Sequence, residues 1–221
     1  MRTQTKQSQS TLLPADALRI LVDGNARFVN NLKANRNLLQ QVNETREGQY
    51  PFAVILSCMD SRTSAELIFD QGLGDIFSIR IAGNFVNEDI LGSIEYAVGV
   101  AGAKLILVLG HTACGAINGA IQDVQLGHLT GMLSNIKPAV ERTAKEDDAS
   151  GKSYSDRVAS TNVCMAIDDI IGQSDVVRKL MDEGQVGVAG AMYNVNSGEV
   201  EFIQACQHVE QVVAEQAANS R

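Results

Sequence analysis

Apolar residues recur along the chain in two rhythms, and their alternation predicts the order of elements. Over residues 14–31 the positions Leu18, Leu21, Val22 and Phe28 follow the spacing of an amphipathic helix, with Asp16 near its start. Residues 48–51 punctuate, and 52–58 then form a continuous apolar run, the pattern of a strand covered on both faces. Residues 75–81 predict a second strand, 90–101 a helix, and 104–110 a third strand. Beyond them, 115–126 and 133–145 read as helices, 163–181 as a helix pair broken near Gly172, and 185–195 as a fourth strand. Residues 198–204 follow the turn Asn196-Ser197-Gly198 and read as an antiparallel edge strand. Strand alternating with helix implies an α/β fold: a single domain over 14–221 with a central, mostly parallel β-sheet, flanking helices and an N-terminal helical arm. The polar stretch 145–155 reads as a surface loop inside that domain.

Composition narrows the function classes. With 45% hydrophobic and 20% charged residues in 221, the chain is globular rather than disordered. Its 26 acidic against 18 basic residues, a net charge of −8, argue against a broad phosphate-binding surface and hence against nucleic acid. The longest apolar runs fall far short of the roughly 20 residues a membrane helix needs. Residues 1–13 lack the apolar stretch of a secretory signal and read as a disordered tail, which leaves the cytoplasm as the expected compartment. In that compartment Cys58, Cys114, Cys164 and Cys206 point to thiol or metal chemistry, or to buried apolar thiols, before disulfides.

Ligands of parallel sheets bind beyond the carboxyl ends of the strands, and two unusual segments stand there. Cys58-Met59-Asp60-Ser61-Arg62 ends the first predicted strand, and His111-Thr112-Ala113-Cys114-Gly115 ends the third. If those strands are neighbours, Cys58, His111 and Cys114 converge as two thiolates and an imidazole, a set that suits Zn2+ and leaves its fourth position open. Two thiolates cancel the charge of the metal, so a bound water would be acidified less than by three imidazoles, and a nearby acceptor would help. Asp60, held ionised by Arg62, is placed to orient a zinc-bound hydroxide; the same carboxylate could instead swing onto the metal and close the site. The competing reading is two core cysteines and a hydrogen-bonded core histidine.

These segments resemble the β-class carbonic anhydrases, which carry Cys-X-Asp-Ser-Arg followed by Gly-His-X-X-Cys-Gly, as Cys58 to Arg62 and Gly110 to Gly115 do here. Ile79-Arg80-Ile81-Ala82-Gly83-Asn84 and Ile94-Glu95-Tyr96-Ala97-Val98 are also similar to segments of that family. The resemblance spans residues 18–202. It implies one zinc per subunit on Cys58, His111 and Cys114, reversible hydration of carbon dioxide to bicarbonate, and catalysis by the Asp60–Arg62 dyad. It further implies a homo-oligomer, a dimer or dimer of dimers, with active sites at the subunit interface.

Other positions follow from the resemblance one by one. Gln49 is similar to a glutamine that donates to substrate across that interface; Phe77, Ala82 and Tyr96 fall where an apolar substrate pocket is lined, and Gly115 where a backbone N–H meets substrate. Taken alone, Phe77 and Tyr96 fit core packing equally well. A bicarbonate-regulated subgroup has a tryptophan where this chain has Ile55; Arg80 and Tyr193 match that subgroup, but the missing tryptophan and the presence of Gln49 favour the open, unregulated form. His128 and His208 read as surface histidines, and Cys164 and Cys206 as buried apolar thiols. The apolar face of the N-terminal helix is expected against a partner subunit. Two other functions remain at this point: hydrolysis of carbonyl sulfide or carbon disulfide on the same site, and a structural zinc in a binding protein, with Asp60 as fourth ligand.

Overall fold

A computed structural model describes residues 3–146 and 151–209. Five strands form one sheet in the order β2-β1-β3-β4-β5. They are β1 Ala53–Ser57, β2 Ile76–Arg80, β3 Leu105–His111, β4 Gly187–Tyr193 and β5 Val200–Phe202. The first four run parallel, and β5 lies antiparallel on β4, matching the expected architecture. Every residue of β1, β3 and β4 is buried, as their unbroken apolar runs require. The two faces take alternate residues. Val54, Leu56, Cys58, Ile106 and Val108 face one core layer, while Ala53, Ile55, Leu105, Leu107 and Leu109 face the other.

Ten α-helices occur among the described residues: α1 Lys6–Thr11, α2 Pro14–Val29, α3 Leu38–Thr45, α4 Ala65–Ile68, α5 Glu88–Glu95, α6 Gly115–Ile121, α7 Gly127–Ser134, α8 Lys137–Thr143, α9 Tyr154–Gln173 and α10 Asp175–Asp182. A single π turn, Tyr96–Val100, extends α5. The break after α9 falls at Ser174 rather than Gly172, because the Ser174 hydroxyl accepts from Val177 N–H and caps α10. None of these helices is long and apolar enough to cross a membrane.

Three expectations change. Within the segment read as a disordered tail, Lys6–Thr11 is helical, and its buried Gln9 donates to the carbonyls of Pro51 and Ala101 at 2.7 and 2.8 Å. Those two bonds satisfy carbonyls that the edge of the core would otherwise leave dry. On α2, Leu18 and Leu21 are fully buried against the chain's own sheet rather than left for a partner, each burial worth about 2 kcal/mol. Cys164 and Cys206 are not separate thiols: their Cα atoms stand 5.4 Å apart and the two form a disulfide between α9 and a 3-10 turn, Gln204–Cys206. The expectation of thiols before disulfides therefore does not hold for this pair. Part of the expected 145–155 loop, residues 147–150, lies outside the described residues, as do 210–221 of the expected domain.

Candidate metal centre

The register of the sheet brings the two chemical segments together. Ser57 of β1 pairs with Leu109 of β3, so Cys58, one residue past β1, stands level with Gly110 and one step from His111. Cys114 occupies the position before the first turn of α6, reached through Ala113 at a left-handed φ of 54°. Cys58, His111 and Cys114 are all buried, and one ligand atom from each lies within 4.8 Å of the others. The sulfurs of Cys58 and Cys114 are 3.9 Å apart.

The donor set fits a zinc ion. Two Zn–S bonds of about 2.3 Å at a tetrahedral angle span about 3.8 Å, whereas a disulfide would need about 2.05 Å. His111 Nδ1 donates to the Thr112 carbonyl at 2.9 Å, which fixes the tautomer and leaves Nε2 as the ligating atom. That Nε2 is buried without a hydrogen-bond partner, a costly state that a metal removes. Hydrogen bonding with Cys114, together with the nearby His111 ring and the Gly83 N–H at 3.4 Å, draws the Cys58 thiol down against the effect of burial. The same pairing and burial push Cys114 up. Without a cation the pair therefore favours one thiolate beside one thiol, and a dication would displace the remaining proton.

Asp60 stands beside this cluster without joining it. Arg62 donates from Nε to Oδ1 at 2.9 Å and from Nη2 to Oδ2 at 2.8 Å, and its backbone N–H adds a third bond to Oδ1. These bonds hold the Asp60 carboxyl well below the usual carboxylate range. The loop itself is tied down: Thr63 donates to the carbonyls of Cys58 and Asp60, and Arg80 donates to the same two carbonyls. Tyr193 is buried in the opposite core layer, and Ile55 is fully buried there too.

The remaining positions divide. Ala82, half-buried and next to Gly83, and Gly115, exposed at the start of α6, belong to the rim that carries Cys58, Asp60, Arg62, His111 and Cys114. Gln49 is exposed and precedes β1, whereas Cys58 follows it, so the five strand residues alone separate them by about 17 Å. Phe77 pairs with Val54, four positions below Cys58, and meets Tyr96 edge to face with ring centres 6.3 Å apart. Tyr96 is 53% exposed on that flank. Gln49, Phe77 and Tyr96 are thus placed away from the cluster of their own chain.

Two polar residues of α9 escape sequence reasoning, one touching the turn after β2 that meets Cys58 and the other the link between His111 and Cys114. Asn162 Nδ2 donates to the Gly83 carbonyl at 2.8 Å, and Asp156 Oδ1 accepts from Ala113 N–H at 3.2 Å. The signal available was an amide at the helical spacing of apolar residues, Asn162 standing four residues after Val158 and four before Ala166.

The chain is similar to known proteins. The family model described as carbonic anhydrase matches residues 53–200. Carbonic anhydrase 2 of Mycobacterium tuberculosis is 37% identical over 191 residues, covering 84% of this chain and 90% of that relative. The carbonic anhydrase of Pseudomonas aeruginosa is 31% identical over 196 residues, covering 84% of this chain and 87% of the relative. Among solved structures, a tetrameric β-carbonic anhydrase of Sordaria macrospora superposes with a TM-score of 0.67 at 26% identity, covering 75% of this chain and 90% of that one. The β-carbonic anhydrase CafA of Aspergillus fumigatus gives 0.68 at 26% identity, with 82% and 86% covered. With its sheet order, its Cys-His-Cys cluster and a family match over more than half its length, the chain belongs to the β-class carbonic anhydrases.

Proposed function

We propose that this enzyme reversibly hydrates carbon dioxide to bicarbonate and a proton, with zinc held by Cys58 Sγ, His111 Nε2 and Cys114 Sγ. The observation that carries the reading is the buried, unpartnered Nε2 of His111, grouped with two sulfurs at zinc-ligand separation. When bound, zinc supplies Lewis acidity, making a water acidic enough to act as nucleophile near neutral pH. Asp60, kept ionised by Arg62, accepts a hydrogen bond from that nucleophile and aims its lone pair at the substrate carbon. Because both Asp60 oxygens are engaged by Arg62, the arrangement supports the open form rather than Asp60 as a fourth ligand. The same point weighs against a purely structural metal.

Carbon dioxide is small and apolar, with partial charge only at its ends, so an apolar slot with one or two donors suits it. In this reading Ala82 and the Gly115 N–H contribute from the chain that holds the zinc. Gln49, Phe77 and Tyr96 contribute from a second copy, because their own cluster is out of reach. The active unit is then a homodimer or a larger assembly of dimers; the Sordaria relative is described as tetrameric.

Stopped-flow hydration of carbon dioxide with a pH indicator, on zinc-loaded protein between about pH 6.5 and about pH 9, tests the proposal. Fast hydration rising smoothly with pH is expected. An abrupt cooperative loss towards neutral pH would overturn the open form. No hydration from zinc-loaded protein, with turnover of carbonyl sulfide instead, would move the activity to sulfur analogues.

A further inference from the structure

Helix α9 reaches two segments beside the sulfur ligands: the link that carries Cys114, and the turn after β2 whose Gly83 N–H meets Cys58 Sγ. Asn162 is 4% exposed, and its amide donates to the Gly83 carbonyl. Gly83 sits in a tight turn, closed by Asn84 N–H on the Ile81 carbonyl, and its own N–H points to Cys58 Sγ. The turn has little room to shift: Gly83 has φ +80°, and a Cβ there would meet Ile136 Cδ1 at 2.4 Å. Six residues earlier, Asp156 holds Ala113 N–H, in the two-residue link between His111 and Cys114 where Ala113 keeps a left-handed φ that disfavours alanine. The helix making these contacts is itself fixed, with Val158, Val163, Ile167 and Ile170 fully buried in the core layer of β3 and β4.

Resting on the zinc reading above, we infer that Asn162 and Asp156 are positioning residues for the metal ligands, Asn162 by fixing the Gly83 turn whose N–H meets Cys58 Sγ and Asp156 by fixing the link that carries Cys114. An apolar side chain at 162 would serve core packing as well, and an amide at a 4% exposed helical position is costly to bury unless its bond does something. Groups that orient metal ligands act by cutting the reorganisation needed on binding, so their loss lowers metal affinity rather than fold stability alone.

The test uses the full chain and the variants Asn162→Leu, Asp156→Ala and Asp156→Asn. Zinc affinity is read by competition with a chromophoric chelator, and ligand geometry by the thiolate-to-metal absorption band after cobalt(II) loading. Asn162→Leu and Asp156→Ala are expected to weaken zinc binding about 10- to 100-fold and to alter the cobalt band. Asp156→Asn, which keeps the acceptor oxygen, is expected to restore both. Variants with lowered melting temperature but wild-type zinc affinity and cobalt band would overturn the inference. Should Asn162→Leu not fold, Asn162→Ala and the Asp156 pair decide by the same criteria. Failure of the wild-type chain to bind one zinc would overturn the metal reading itself, an outcome distinct from tight wild-type binding with unaffected variants.

Discussion

Arg62 grips Asp60 through two parallel contacts of 2.9 and 2.8 Å, the bidentate geometry that fixes a carboxylate in direction as well as charge. Half of the Arg62 side chain is exposed, so the pair contributes little to stability, and its value lies in where it aims Asp60. Asp60→Ala is therefore expected to cut kcat/KM for hydration by about 10²-fold or more while one zinc per chain is retained. Metal analysis beside stopped-flow rates checks this; loss of zinc in the variant would identify Asp60 as a structural ligand instead.

Gln49 and Cys58 lie at opposite ends of β1, so the proposed role of Gln49 requires a second subunit. Gln49→Ala and Asp60→Asn homodimers are each expected to be impaired. After random reassociation half the dimers are mixed, and each has one site with both residues intact, so roughly a quarter of the sites should recover in a two-fold dimer. Rates measured after unfolding and refolding the mixture check this. No recovery would place Gln49 outside the site, and light scattering showing a monomer would remove the interface altogether.

Asp70 is buried between Arg27 at 2.6 Å and Arg36 at 2.5 Å. Burial alone would raise its carboxyl, but the bonds from Arg27, the Ala34 N–H and Arg36 outweigh it and leave Asp70 lowered. A lowered folded value means the stabilisation is complete above the unfolded value of about 3.9 and is lost as pH falls through the folded value. Urea midpoints from about pH 6 down to about pH 3 should thus fall in the wild type. Asp70→Asn, whose residue tolerates the left-handed φ of 45°, should start about 3 kcal/mol lower and fall less steeply. Parallel curves would show that Asp70 does not carry the acid sensitivity.

The Cys164–Cys206 bond closes a separation of 42 residues, for which loop entropy predicts up to about 4 kcal/mol of stabilisation. Cys206→Ala should lower the urea midpoint by an amount of that order while leaving zinc content unchanged. An unchanged midpoint in oxidised protein would mean the bond does not form in solution.

Several elements were legible because their signal is local. The strands β1 and β3 are unbroken apolar runs, and each was anticipated to within two residues. Helix α3 was not read, since Leu38, Leu39 and Val42 are its only long apolar residues and all three are exposed, leaving no buried face to give a period. Helix α7 was missed in part because Gly127 and Gly131 dilute its pattern. The disulfide was misread for a different reason: nothing in the spacing of four cysteines says which pairs meet.

Sequence alone determined the alternating α/β order, the acidic and globular character, and the two segments that supply Cys58, Asp60, Arg62, His111 and Cys114, because each depends on neighbours along the chain. Tertiary structure decided what depends on register and packing between distant segments. It set Cys58 beside His111 through the β1–β3 pairing, freed Nε2 of His111 by turning Nδ1 to Thr112, and brought Asn162 of α9 to Gly83 across 79 residues. Such contacts arise only when the apolar faces of the sheet and helices are buried together, and local sequence carries no record of that three-dimensional alignment.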